Sequence, residues 1–233
     1  MQLKKKLVAL ALAASMMISV SAPALATSKF NMGVFEGRQD AFILSDEMTG
    51  EAIVLLEDDS TARTIYFDDG SRIVVTPGLM LNDSYDYYVL TFGYFGANLA
   101  GIDNIIIKIG DNRYSFSNCP VSRSKLGDDL IYEEMPIRMK RETVSFMNDL
   151  SDHREEEIKV RANGVYQTFD FTLPDAAKDR ILCLYDLYSQ GGGTRDSNLR
   201  SITDTDQVIV EKNGKLIDGH KKEKMIDALL SAF

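Results

Sequence analysis

Four β-hairpins are predicted by short apolar runs on either side of a turn sequence. Asp-Gly and Asn-Gly are strong hairpin signals because they accept the positive φ angles that such turns require. Three predicted strand pairs are residues 64–67 with 72–75 around Asp69-Gly70, 105–109 with 113–116 around Gly110-Asp111, and 158–161 with 165–171 around Ala162-Asn163-Gly164. A fourth hairpin is predicted at residues 207–210 and 215–217. Pro77-Gly78 is expected to end the second strand of the first hairpin.

Apolar residues at helical spacing predict three helices. The first contains Thr143, Phe146, Met147 and Leu150. The second begins near Pro174, which suits a first turn, and is ended by three consecutive glycines, Gly191-Gly192-Gly193. A third is expected from about Lys221. The apolar stripe of the second helix is Ala177, Ile181, Leu184, Tyr185 and Tyr188, and that of the third is Met225, Ile226, Leu229, Leu230 and Phe233.

Residues 85–95, with the sequence YDYYVLTFGYF, are dense in aromatic and β-branched side chains. Both alternating faces of this segment are apolar, which indicates a strand covered on both sides. The alternative interpretation is a platform on which sugars stack, although the chain contains no Trp. The candidate ligand-stacking aromatics are Tyr85, Tyr87, Tyr88, Phe92, Tyr94 and Phe95.

These elements predict an α+β fold: an antiparallel sheet built from β-hairpins with two or three helices packed on it. The expected divisions are a signal peptide at 1–26, an N-terminal β-hairpin region at 27–77, a central α+β core at 78–190 and a C-terminal hairpin-helix unit at 191–233. A hairpin followed by a helix occurs three times, beginning near Ile105, Ile158 and Val208. Either an internal repeat or the turn chemistry alone accounts for this similarity.

The first 26 residues have the three regions of a cleavable secretory signal peptide. Lys4, Lys5 and Lys6 precede an apolar run at residues 7–20, and Ala24-Leu25-Ala26 places small residues at a cleavage site. As a helix, this run would be about 21 Å long, too short for a hydrocarbon core of roughly 30 Å. We therefore expect cleavage after about Ala26, no stable membrane anchor afterwards, and a secreted or periplasmic/extracellular protein.

The charge of the chain argues against nucleic acid as a partner. The sequence has 26 basic and 35 acidic residues, a net charge of −9. Loss of the three signal lysines would leave 23 basic residues and a net charge of about −12. Such a surface repels phosphate backbones.

The chain contains two cysteines, Cys119 and Cys183. An even number of cysteines in an exported chain favours a disulfide between them. Two unpaired structural cysteines, or one reactive thiol, are the alternatives.

No familiar catalytic or cofactor motif is present. The histidines, His153 and His220, have no metal-ligand spacing, and acidic pairs such as Asp58-Asp59, Asp68-Asp69 and Asp204 with Asp206 do not match a calcium loop. A nucleophilic Cys119–His153 pair lacks a residue that orients the base. We therefore expect neither a metal nor a cofactor.

The absence of these motifs favours a non-enzymatic binding or interaction module of the cell surface or envelope, with a protein or glycan partner. The alternative is a secreted hydrolase whose carboxylates converge only in the fold. A structural envelope component is a third hypothesis.

Overall fold

The computed structural model describes residues 30–46, 51–56, 60–81, 86–117, 121–126, 130–138 and 141–193, and the backbone of 207–212 and 215–216. These residues form thirteen strands, two α-helices and two short 3₁₀ helices, Met32–Phe35 and Ser60–Arg63. The predicted α+β fold of antiparallel hairpins is confirmed, but the strands divide between two sheets instead of one. Neither α-helix in these ranges is long and apolar enough to cross a membrane.

Sheet A contains seven antiparallel strands. Its order is β1-β2-β4-β5-β9-β8, and β3 also pairs with β4. The strands are β1 (Ala41–Asp46), β2 (Glu51–Leu56), β3 (Thr64–Tyr66), β4 (Arg72–Leu81), β5 (Asp86–Gly96), β8 (Ser122–Lys125) and β9 (Ile131–Arg138).

Sheet B contains six antiparallel strands and consists of three hairpins lying side by side. Its order is β11-β10-β6-β7-β12-β13. The strands are β6 (Ile102–Ile109), β7 (Asn112–Ser117), β10 (Lys159–Gly164), β11 (Thr168–Thr172), β12 (Gln207–Lys212) and β13 (Lys215–Leu216). The three predicted hairpin-helix units thus contribute their hairpins to one sheet.

Two of the predicted helices are present, α1 (Arg141–Asp152) and α2 (Asp175–Gln190). They share one hydrophobic core with both sheets. Phe146 of α1 makes edge contacts with Tyr114 and Phe116 of sheet B, with ring centroids 5.2 and 5.8 Å apart. The third predicted helix and the predicted signal peptide lie outside the described residues.

The prediction that residues 85–95 form a strand covered on both sides is confirmed for β5, in which every residue is buried. Tyr88, Leu90 and Phe92 enter the core shared with the helices. Tyr87 and Val89 enter a second apolar cluster on the opposite face of sheet A.

The prediction that Pro77-Gly78 ends the strand is wrong, because β4 continues through both residues. Along the edge that faces away from β5, β4 pairs with β3 as far as Val74 and with β2 from Gly78 onward. Pro77 lies in the gap between these two partners, where its missing N–H breaks no ladder. Arg63 fills the same gap and donates to the Val75 carbonyl at 2.8 Å. The strand therefore crosses the expected division between regions 27–77 and 78–190.

Candidate binding surface

The turn between β10 and β11 projects two apolar side chains into solvent. The sequence predicted a turn at Ala162-Asn163-Gly164, but Asn163 pairs with Thr168, and the turn lies at residues 164–167. Val165 and Tyr166 are therefore at the tip, 72% and 71% exposed, instead of lying in a strand. We call residues 164–167 the Tyr166 turn.

Contacts with residues 100 and 101 explain the position of the Tyr166 turn. The Val165 amide donates to the Gly101 carbonyl at 3.0 Å, and the Tyr166 amide donates to the Ala100 carbonyl at 3.0 Å. Gly164 lies so close to Ala100 that an added Cβ would overlap the Ala100 carbonyl oxygen. These long-range contacts outweigh the local preference of Asn-Gly for a turn.

A buried carboxylate fixes the segment to which the Tyr166 turn is bound. Glu133 of β9 is 1% exposed and accepts hydrogen bonds from the amides of Ala100 at 2.5 Å, Gly101 at 2.9 Å and Ile102 at 3.1 Å. Arg123 of β8 donates to the same carboxylate at 3.1 Å. Sheet A thus holds the residues that position the turn of sheet B.

The β3–β4 turn supports the Tyr166 turn from the side. Gln167 donates through Nε2 to Asp69 Oδ2 at 2.7 Å. Hydrogen bonds from Ser71 and Gln167 lower the pKa of Asp69. Beneath this contact, the rings of Phe67 and Phe169 pack with centroids 4.7 Å apart.

The outer face of sheet B is polar and open to solvent. Odd-numbered isoleucines of β6 enter the core, so the side chains between them face outward. The neighbouring strands alternate in the same way. We define the outer face of sheet B as Asn104, Ile106 and Lys108 of β6, Arg113, Ser115 and Ser117 of β7, Lys159, Arg161 and Asn163 of β10, and Thr168, Asp170 and Thr172 of β11.

Hydrogen bonds order the side chains of this face. Asn163 donates to Asn104 Oδ1 at 3.1 Å, and Asn104 donates to Ser115 Oγ at 3.0 Å. Arg161 binds both carboxylate oxygens of Asp170, at 2.5 and 2.7 Å, and lowers the pKa of that carboxyl. Amides, hydroxyls and charges are therefore presented in fixed positions across several strands.

The predicted aromatic platform is not accessible in the structure. Tyr87, Tyr88, Phe92, Tyr94 and Phe95 are all buried, none more than 4% exposed. Their alternate positions on β5 place them in the two apolar clusters that lie on opposite faces of sheet A. Tyr85 lies outside the described residues.

No disulfide is present among the described residues, in which Cys183 of α2 is a free thiol. Its sulfur is 3.7 Å from the Arg38 guanidinium. Arg38 and Arg180 both bind the Asp40 carboxylate, at 2.8 and 3.0 Å. Cys119, and with it the predicted disulfide and the Cys119–His153 pair, lies outside the described residues.

Two buried glutamates of β9 and His153 are among the acid and base groups of the described residues. Glu133 and Glu134 are adjacent in β9, so their side chains leave opposite faces of sheet A. His153 follows α1, where a hydrogen bond with Glu156 at 3.0 Å raises its pKa. Across the described ranges, no group of three or more His, Cys, Asp or Glu side chains could hold a metal ion.

Sequence reasoning missed both parts of the candidate surface. Alternation in residues 159–163 and 112–117 indicates polar faces for β10 and β7, but the sequence does not give the register between these strands. The local pattern predicts a strand at Val165 and Tyr166, because the long-range contacts of the turn leave no local signal.

When the chain was compared with protein-family models, curated proteins and solved structures, none matched.

Proposed function

We propose that this protein is an exported binding module of the cell surface or envelope, which recognises a protein or glycan partner. The observation that carries this proposal is the Tyr166 turn, a hydrogen-bonded turn with two exposed apolar side chains. The outer face of sheet B begins where this turn ends, since Asn163 and Thr168 flank it. The turn and the adjoining face together provide apolar, hydrogen-bonding and charged groups.

The hydrogen bonds that hold the turn make it suitable for binding. Ordering a flexible loop at an interface costs free energy, and a turn that is already ordered avoids that cost. Tyrosine is also enriched among the residues that contribute most to binding energy. The bonds from Glu133 through residues 100–102 to the Tyr166 turn supply this order.

Replacement of the exposed pair tests the proposal. In the variant Val165→Asn with Tyr166→Ser, we expect retention on envelope preparations from the producing cells to weaken about tenfold or more, because central aromatic contacts often contribute 2 kcal/mol or more. Both side chains are exposed, so the free energy of unfolding should change by less than about 0.5 kcal/mol. Binding is measured with labelled exported protein over a concentration series.

Ile43→Thr is the matched control, because Ile43 is another exposed apolar residue and lies on β1 of sheet A. Its retention should equal that of the wild type. Equal retention of the turn variant and the wild type would contradict the assignment of the turn. Failure of the wild type to be retained by any envelope or glycan preparation would contradict the proposed function itself.

The proposed export has its own measurement. The signal at residues 1–26 predicts that protein recovered outside the cytoplasm begins at about Thr27. Intact-mass analysis gives the cleavage position directly. Recovery of the uncleaved chain from the cytoplasm, with none outside it, would rule out export.

A further inference from the structure

Three cations lie in one row across the outer face of sheet B. Lys159 of β10 is opposite Lys108 of β6, and Lys108 is opposite Arg113 of β7. Adjacent strands are about 4.8 Å apart, so the row extends over roughly 10 Å. Like charges directly opposite one another on neighbouring strands destabilise a sheet. The row therefore costs stability in the free protein.

Few carboxylates offset this row. Lys159 Nζ lies 3.8 Å from a Glu157 oxygen, and the register places Glu211 opposite Arg113. Lys108, at the centre, is exposed and has no ion-pair partner within the described part of the chain. The central cation is thus available to an external anion.

The net charge of this face is opposite in sign to that of the whole chain. The outer face carries four cations, Lys108, Arg113, Lys159 and Arg161, against Asp170 on the face and Glu157 and Glu211 beside the two ends of the row. The complete sequence has a net charge of −9. A positive face on an acidic protein concentrates anionic ligands at that face and repels them elsewhere.

The groups beside the cations indicate the chemistry of the ligand. Asn104, Asn163 and Ser115 present amide and hydroxyl groups, which match the hydroxyl groups of a sugar. Duplex DNA, by contrast, carries a charge about every 1.7 Å, and the acidic remainder of the chain would repel so dense a polyanion. An acidic peptide can pair its main-chain amides with these groups, but it lacks the closely spaced hydroxyls of a sugar.

We propose that the outer face of sheet B binds an acidic polysaccharide. Its carboxylates lie on the row of Lys159, Lys108 and Arg113, and its hydroxyls bond to the row of Asn163 and Asn104. This inference rests on the proposed binding function and names the class of ligand.

Binding of exported protein to immobilised polygalacturonate tests the inference. We expect wild-type binding that weakens as salt is raised, because salt screens exposed charges. Lys108→Gln should weaken binding about fourfold, the effect of losing one exposed ion pair. Lys125→Gln is the matched control, since Lys125 is also exposed but lies on β8 of sheet A, and it should bind like the wild type.

Three comparison polymers separate the possible ligands. Fully methyl-esterified polygalacturonate keeps the sugar and removes the charge, polyglutamate keeps the carboxylates without hydroxyls, and polyphosphate supplies a different anion. Weaker binding to all three supports the proposal. Equal or tighter binding to any of them overturns the assigned ligand class, as does equal binding by Lys108→Gln and the wild type.

Stability measurements distinguish a ligand role from a structural one. Because Lys108→Gln removes like-charge repulsion, its denaturation midpoint without polymer should equal or exceed that of the wild type. A lower midpoint would assign Lys108 a structural role and overturn the inference. If no polymer binds while retention on envelope preparations still depends on Tyr166, the inference fails and the proposed function stands.

Discussion

Glu133→Ala should lower the free energy of unfolding by about 3–5 kcal/mol, one of the two largest effects we expect. The substitution leaves the buried amides of Ala100, Gly101 and Ile102 without an acceptor, and each such loss costs about 1–3 kcal/mol. It also removes the carboxylate that Arg123 binds. Denaturant unfolding of wild type and variant measures the difference.

Two further variants serve as comparisons for Glu133→Ala, one of nearly equal size at the same position and one at an exposed position. Glu133→Gln keeps one acceptor oxygen and should cost about 2 kcal/mol. Glu155→Gln, on an exposed carboxylate, should stay within about 0.5 kcal/mol of the wild type. Hydrogen exchange at the amides of residues 165–167 should become faster in Glu133→Ala. A change below about 1 kcal/mol in that variant would show that the carboxylate does not stabilise this segment.

Gly164→Ala should lower the free energy of unfolding by about 2–3 kcal/mol, because a rigid clash forces the backbone to move. The new methyl group would overlap the carbonyl oxygen of Ala100 and lie 2.8 Å from that of Gln167. Both are backbone atoms, so no side-chain rotation relieves the contact. The same shift should displace Val165 and Tyr166 and weaken retention on envelope preparations. Denaturant unfolding and the retention assay measure the two effects.

Gly37→Ala is the control for this substitution. Gly37 has φ of +75° and no atom within 4 Å of an added Cβ, so only the cost of the left-handed conformation remains. That cost is about 1 kcal/mol. Equal losses of unfolding free energy for the two variants would mean that Ala100 moves freely. The close packing beneath the Tyr166 turn would then not contribute to stability.

Local turn chemistry predicted the hairpins well, and long-range pairing explains the errors. Asp69-Gly70 and Gly110-Asp111 form the predicted turns, with φ of +79° at Gly70 and +53° at Gly110. At Asn163-Gly164, hydrogen bonds to Ala100 and Gly101 moved the turn by two residues. Such bonds join residues more than sixty positions apart, and no local window contains both.

The candidate surface could not be predicted as a unit for a related reason. The aromatic density of residues 85–95 is compatible with a stacking platform, yet burial on both faces is what such a composition favours. Lys108 and Lys159 are separated by about fifty residues in sequence and face each other only because β6 and β10 are neighbours. Each lysine alone resembles an ordinary solvated side chain.

The strand order of sheet B has a consequence for how the chain matures. Synthesis proceeds from the amino terminus, and β12 is made well after β7, its neighbour. Until residues 207–212 arrive, the main-chain groups along one side of Asn112–Ser117 have no partner in the finished order. An unpaired strand edge is a template for another chain, so the nascent protein passes through a stage that is vulnerable to aggregation. The last hairpin closes that edge.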